Sequence, residues 1–175
     1  MANPIDIVTA KVKGVQRGME ARREGLVGVF QTLARQHGEA AALVDRVKGD
    51  PDKRGSLWPK IKIALIAHEQ AELAAVYPPL ARHRELQDLV ERHGREARSL
   101  EDMITRLDST TADRDEWMSL LVSLGETVLA HAAYEENDIF PTALKAIGAD
   151  AAKQLDDAFK SAYKDLEASL EQAVH

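Results

Sequence analysis

Six residues of this chain, His37, His68, Glu72, His93, His131 and Glu135, are of the types that ligate metal ions, and four of them recur in a duplicated phrase. HEQAELAAVYP at 68–78 and HAAYEENDIFP at 131–141 share the pattern His-x3-Glu-x4-aromatic-Pro at an offset of 63 residues. The match continues upstream through Leu65/Val128, Ile66/Leu129 and Ala67/Ala130. A His and a Glu four apart share one face of a helix with Cβ atoms about 5–6 Å apart, close enough to share or bridge cations. Cysteine is absent, which removes thiolate sites, disulfides and a cysteine nucleophile. Imidazole and carboxylate remain, a donor set that suits Fe, Mn or Zn.

Such a constellation needs elements that bring the pairs face to face. Apolar residues recur at three and four positions along almost the whole chain, and no segment alternates as a strand would. The expected fold is all-α: an antiparallel up-down-up-down four-helix bundle with an additional C-terminal helix. The 175 residues fit a single domain, with an N-terminal arm at 1–21, the bundle at about 22–145 and the extra helix at 149–173.

The first bundle helix is expected at about 22–48, with Leu26, Phe30, Leu33, His37, Ala41, Val44 and Val47 inward. The second starts at Ser56 as N-cap with Pro59 in the first turn, presents Ile61, Leu65, His68, Glu72 and Val76, and stops at Tyr77-Pro78-Pro79. The third, about 84–107, turns Leu86, Val90, His93, Ala97, Leu100, Ile104 and Leu107 inward. After a loop at 108–113, the fourth carries Leu121, Leu124, Val128, His131, Glu135 and Ile139 and kinks near Phe140-Pro141. In the tail, Leu155, Phe159, Ala162, Leu166 and Leu170 form a stripe that packs on the bundle.

The periodicity thus places four His and two Glu in the apolar seam. Ordinary core histidines paired with carboxylates, or helices rotated so that the pairs face solvent, are the plain alternatives. Each uncompensated buried polar group costs on the order of several kcal/mol against a net stability of about 5–15 kcal/mol, and bound cations remove that cost in one step. The unbroken fours and threes of the third helix oppose rotation.

The net charge of -6 argues against a phosphate-binding surface, so nucleic acid is not an expected partner. No stretch approaches the roughly 18 apolar residues of a membrane span, and the start has no signal pattern, so the expected location is cytoplasmic and away from membranes. No nucleotide loop or serine triad is visible.

The ordered set of one His, His-x3-Glu, one His and His-x3-Glu-Glu ending in Phe-Pro resembles the hemerythrin-like, His-His-Glu cation-binding domains over about residues 22–145. That resemblance implies two iron ions, oxo- or hydroxo-bridged, with Mn or Zn as other occupants, and reaction with O2, NO or peroxide (H2O2). It makes His37, His68, Glu72, His93, His131 and Glu135 the ligands, with Glu72 and Glu135 bridging. Glu69 is a seventh candidate, because His68-Glu69-x2-Glu72 looks like the His-Glu-x2-Glu element of the iron-sensing version of the domain; the alternative for Glu69 is an exposed helix flank.

The sequence also departs from the family. Oxygen-carrying members have a second His four residues after the one on the third helix, where this chain has Ala97, which would leave a cavity for a small ligand. Their carboxylate on the fourth helix corresponds to Glu136, whereas the repeat spacing favours Glu135. Tyr134 is either a hydrogen-bond donor, redox partner or ligand near the metal, or a residue packed at a helix interface. Glu96 is either exposed or orients His93. His83 and His175 receive no role. The resemblance implies a carrier, sensor or peroxide-decomposing enzyme; an iron-storage or iron-sensing protein and a metal-stabilised interaction domain without catalysis are the other readings. A second copy or a protein partner is expected at the C-terminal helix.

Overall fold

The computed structural model describes residues 2–110 and 113–173, and His175 lies outside them. Among the described residues there are helices and no strands: α1 (Pro4–Arg23), α2 (Val29–Gly49), α3 (Arg54–Ala71), α4 (Tyr77–Leu80), α5 (Gln87–Ser109), α6 (Arg114–Tyr134) and α7 (Phe140–Ala173). Short 3-10 turns at Pro51–Lys53 and Arg84–Leu86 precede α3 and α5.

The N-terminal arm is a full helix, and the first bundle helix begins at Val29 instead of near residue 22. Asn3 caps α1 by accepting from the Ile5 amide at 3.0 Å, and Pro4 occupies the first turn, where its missing N–H costs nothing. Two glycines separate α1 from α2. Gly25, at φ 94°, closes α1 as the amide of Leu26 reaches back to the Ala21 carbonyl. Gly28, at φ 59°, lies against the α7 backbone, where a Cβ would sit 2.4 Å from the Ala152 carbonyl carbon.

Two further boundaries differ from the sequence reading. Ser56 lies inside α3 and donates to the Lys53 carbonyl at 3.1 Å, because the helix is entered earlier, from the 3-10 turn that Pro51 opens. Tyr77-Pro78-Pro79 does not end the second bundle helix, which continues through a π-helical segment, Glu72–Val76, into α4. The fourth bundle helix does the same through Glu135–Ile139 into α7, and its break falls at Gly148 (φ 81°), beyond Phe140-Pro141.

The π-segments explain how helix survives the prolines. In each repeat the amide of the aromatic residue bonds the carbonyl of the metal-type glutamate five residues back, Tyr77 to Glu72 and Phe140 to Glu135. That wide turn restarts the hydrogen-bond register, so Pro78 and Pro141 fall at the second residue of a fresh helix and no donor is missed. The duplicated phrase therefore encodes a duplicated widening that begins at Glu72 and Glu135.

The apolar core is split in two. One cluster contains Val44, Val47, Leu57, Ile61, Leu65, Leu100, Ile104, Trp117, Leu121 and Leu124; the other contains Phe30, Leu33, Val76, Tyr77, Leu80, Leu86, Ile139, Phe140 and Phe159. α2 and α5 meet the second cluster first and the first cluster last, and the α3 and α6 rods meet them in reverse, the order that antiparallel neighbours produce. Every one of these helices carries its His or Glu between the clusters. Beyond His37 the inner face of α2 is Ala40, Leu43, Val44 and Val47, with Ala41 half-buried. The tail of α7 packs Phe159, Leu155, Ala162 and Leu166 on the second cluster.

Candidate metal centre

His37 on α2, His68 and Glu69 on α3, Glu72 and Glu135 at the heads of the π-segments, His93 on α5 and His131 on α6 are all buried in one polar layer. Their donor atoms form two groups, Glu69, Glu72, His93 and His131 in one and His37, His68 and Glu135 in the other, with the atoms of each group within 4.8 Å of one another.

The imidazoles present Nε2 to the interior. The Nε2 atoms of His37 and His68 lie 3.2 Å apart. On the outer side His37 Nδ1 donates to Glu136 at 2.7 Å, His68 Nδ1 to Gln36 at 2.8 Å and His131 Nδ1 to Glu96 at 3.1 Å. Such contacts fix the tautomer that leaves Nε2 free as a donor to a cation. They also separate the two candidate carboxylates of the π-segment that follows α6: Glu135 turns into the layer and Glu136 holds His37 from outside, braced by Arg17 of α1. Glu96 serves His131 and not His93.

Glu72 and Glu135 reach both groups. Glu72 Oε2 is 3.2 Å from His93 Nε2, while its Oε1 is 3.7 Å from His68 Nε2. Glu135 Oε1 is 3.1 Å from His93 Nε2, and its Oε2 is 3.1 Å from His37 Nε2. Each carboxylate thus has one oxygen toward each group. Glu69 is no exposed flank: it is buried, 3.3 Å from His131 Nε2 and 3.8 Å from His93 Nε2, because it precedes Glu72 by three residues on the side of α3 that faces α5 and α6.

Tyr134 is outside the layer, half-buried under the Arg92 guanidinium at 3.6 Å from its ring centroid. The tyrosine at the centre is Tyr77, the aromatic of the repeated phrase. It donates to Glu135 Oε1 and stacks on His93 with ring centroids 3.7 Å apart, much as its counterpart Phe140 lies parallel to His37 at 6.1 Å. Tyr77→Phe keeps the stack and removes one hydrogen bond to a buried carboxylate. It is expected to lower the stability of the metal-free protein by about 1.5–3 kcal/mol without changing metal content, measured by denaturant unfolding and metal analysis.

Ala97 is buried, but it does not line the cavity beside the centre. That cavity, of about 60 Å3, lies toward α2, α3 and α7, between His37, His68, His131 and Tyr163, with Ala40, Leu43, Ala64, Leu65 and Val128 as apolar walls.

Whether this layer fits metal ions can be judged from its unmet polar atoms. Among the described residues, six buried side-chain atoms find no hydrogen-bond partner, and five belong here: Glu69 Oε2, Glu72 Oε1, His93 Nδ1, His131 Nε2 and Glu135 Oε2. Four of these are inward donor atoms, so cations would satisfy what the protein does not. Imidazole and carboxylate are also the correct chemistry for two divalent ions next to three carboxylates. The residues fit.

Without metal, protons take the place of cations. Burial opposes charge on His37, His93 and His131, but Glu135 with Glu136, Glu72 and Glu69 overrides it and pushes each imidazole up to about 10. Burial, reinforced by the charge on His37, pushes His68 down to about 3. Burial and the neighbouring Glu135 push Glu72 up to about 7, while His131, His37 and His93 outweigh burial and hold Glu135 well below the carboxylate range. Between pH 6.5 and 10 the folded metal-free chain therefore binds more protons than the unfolded chain, and its stability falls as pH rises through that window. His68 works the other way between pH 3 and 6.5. Melting temperatures of chelated protein are expected to be highest near pH 6 and to drop progressively to pH 9.5. Metal-loaded protein is expected to lose its advantage on the acid side, where protons compete for the ligands.

No curated protein and no solved structure matches this chain. A family model, described as the hemerythrin HHE cation binding domain, matches residues 28–143, a span that begins one residue before α2, ends in α7 and contains every residue of the polar layer. The chain belongs to the hemerythrin HHE cation-binding domain family.

Proposed function

We propose that this protein is a non-haem di-iron protein that binds or senses O2, NO or peroxide, with peroxide decomposition as the activity it would perform as an enzyme. One observation carries the reading: two buried donor groups share Glu72 and Glu135, each with one oxygen toward either group. His37, His68 and Glu135 would hold one ion, and Glu69, Glu72, His93 and His131 the other.

Bound iron would supply reversible redox change and open coordination positions to a small ligand. Two octahedral ions offer about 12 positions, of which four His and three bidentate or bridging Glu fill about 10. The protein's own contribution is positional. Glu136, Gln36 and Glu96 hold the imidazole tautomers, Tyr77 holds Glu135, and the apolar walls of the cavity exclude bulk water from the His68 and His131 side. The cavity of about 60 Å3 beside His68 and His131 has room for a diatomic molecule or peroxide.

A second reading, an iron-level sensor or iron store, is favoured by the position of the layer between the two apolar clusters, where loss of metal would loosen the whole bundle. Anaerobic addition of peroxide to the iron-loaded protein separates the readings. Rapid oxygen evolution identifies an enzyme, a stable spectral change identifies a binder or sensor, and no response to peroxide, O2 or NO contradicts the proposal. Among the described residues no helix is long and apolar enough to cross a membrane.

A further inference from the structure

α1 carries an apolar stripe that the bundle does not use. Ile5, Val8, Val12, Val15 and Met19 follow one another at intervals of three and four residues and are each 50–65 % exposed. This is the heptad spacing by which one helix presents a seam to another. The opposite side of α1, with Ala10, Gly14, Gly18 and Ala21, is buried, and the helix cannot roll to hide the stripe. A Cβ on Gly14 would lie 2.7 Å from the Arg35 carbonyl of α2, so the two helices are in close register. Asp6 anchors one end through Arg46 at 2.5 Å and Lys53 at 2.6 Å. Arg17 anchors the other through Glu136, the residue that holds His37, so this face lies two side chains from the metal layer.

The borders of the stripe are basic in a chain whose net charge is -6. Lys11 and Arg22 lie along one edge and Arg23 on the other, with Lys13 further round toward α2; all four are exposed, and none forms a close ion pair among the described residues, although Lys11 lies in the field of Glu39. Glu20, the acid on this side, is held by Arg17 at 3.4 Å. Beside the stripe, Val15, Gly18 and Met19 form one wall of a groove of about 460 Å3, with Gln31, Thr32 and Lys153 opposite.

These features select among occupants. A second copy laid stripe to stripe would set the cations against their own counterparts. A membrane surface favours Trp, Phe and Leu, and the stripe is Ile, Val and Met. An amphipathic helix with apolar a and d positions and acidic flanks matches both the spacing and the charge. The C-terminal helix, by contrast, has its own apolar stripe packed on the core. We propose that the outer face of α1 docks an acidic amphipathic helix of a partner protein.

The test uses the full chain and two fluorescent synthetic helices of about three heptads, both with Leu at a and d, one with Glu and the other with Lys at e and g. The Glu peptide is expected to bind at least about tenfold tighter than the Lys peptide, and Val12→Glu or the charge reversal Lys11→Glu with Arg22→Glu is expected to weaken it by about tenfold or more. All these positions are exposed, so circular dichroism and melting temperature should stay unchanged. Failure of the Glu peptide to bind, equal binding of both peptides or indifference to the substitutions would overturn the proposal. So would a dimer seen by light scattering that Val12→Glu dissolves, or sedimentation with phosphatidylserine vesicles that the same substitution abolishes.

Discussion

Glu135→Gln is expected to strip the protein of iron, whereas Glu136→Gln, one residue away and equally conservative, is expected to leave two irons per chain. Glu135 faces His37 and His93 at 3.1 Å each, lies 3.7 Å from His131 and accepts from Tyr77, so it touches both donor groups. An amide in its place provides no charge to either ion and takes from His37, His93 and His131 the one carboxylate that all three share. Breaking a buried ionic cluster in this way costs about 3–5 kcal/mol. Glu136 acts only through His37 Nδ1, and loss of such an outer contact weakens metal affinity about 10–100-fold without removing a ligand. Iron content after dialysis separates the two roles: equal loss in both variants would remove the distinction drawn between these neighbours.

Removal of metal is expected to have the second large effect, a fall in melting temperature of about 10 °C or more at neutral pH. Binding to the folded state alone stabilises by about 4 kcal/mol when free metal exceeds its dissociation constant a thousandfold, and each kcal/mol is worth about 2–4 °C in a chain of this length. The layer has reason to need that contribution. It holds Glu69, Glu72 and Glu135 between two apolar clusters, with four inward donor atoms unmet. Scanning calorimetry before and after chelation, with recovery on iron addition, measures it; an unchanged transition would mean that the histidine-carboxylate pairs satisfy one another and that the layer is only a polar core.

The centre was legible in the sequence because helix periodicity and duplication agree. His37, His68, Glu72, His93, His131 and Glu135 fall at seam positions, and the repeat at 68–78 and 131–141 makes coincidence a poor explanation. What periodicity at 3.6 residues cannot express is a change of helix type. The π-segments at 72–76 and 135–139 carry helix past prolines that read as stops, and their trace in the sequence is Glu-x5-Pro in both repeats. Tyr77 is the aromatic of that phrase; Tyr134 stands three residues from His131, a spacing that suits a metal neighbour equally well, but the Arg92 stack places it on the outer side of α6. Glu69 sits at the edge of the inward arc of α3, where periodicity does not decide between solvent and core, and only the approach of α5 and α6 buries it. The N-terminal arm is a helix packed on the bundle because Gly14 and Gly18 allow α1 to lie close against α2.

The central claim is that one buried layer holds two metal ions, and the direct test is metal analysis with an absorption spectrum of protein purified in air. Two irons per chain, lost in both His68→Ala and His131→Ala, are the result expected. Less than one iron per chain after reconstitution, or an iron content unchanged by those substitutions, would contradict it.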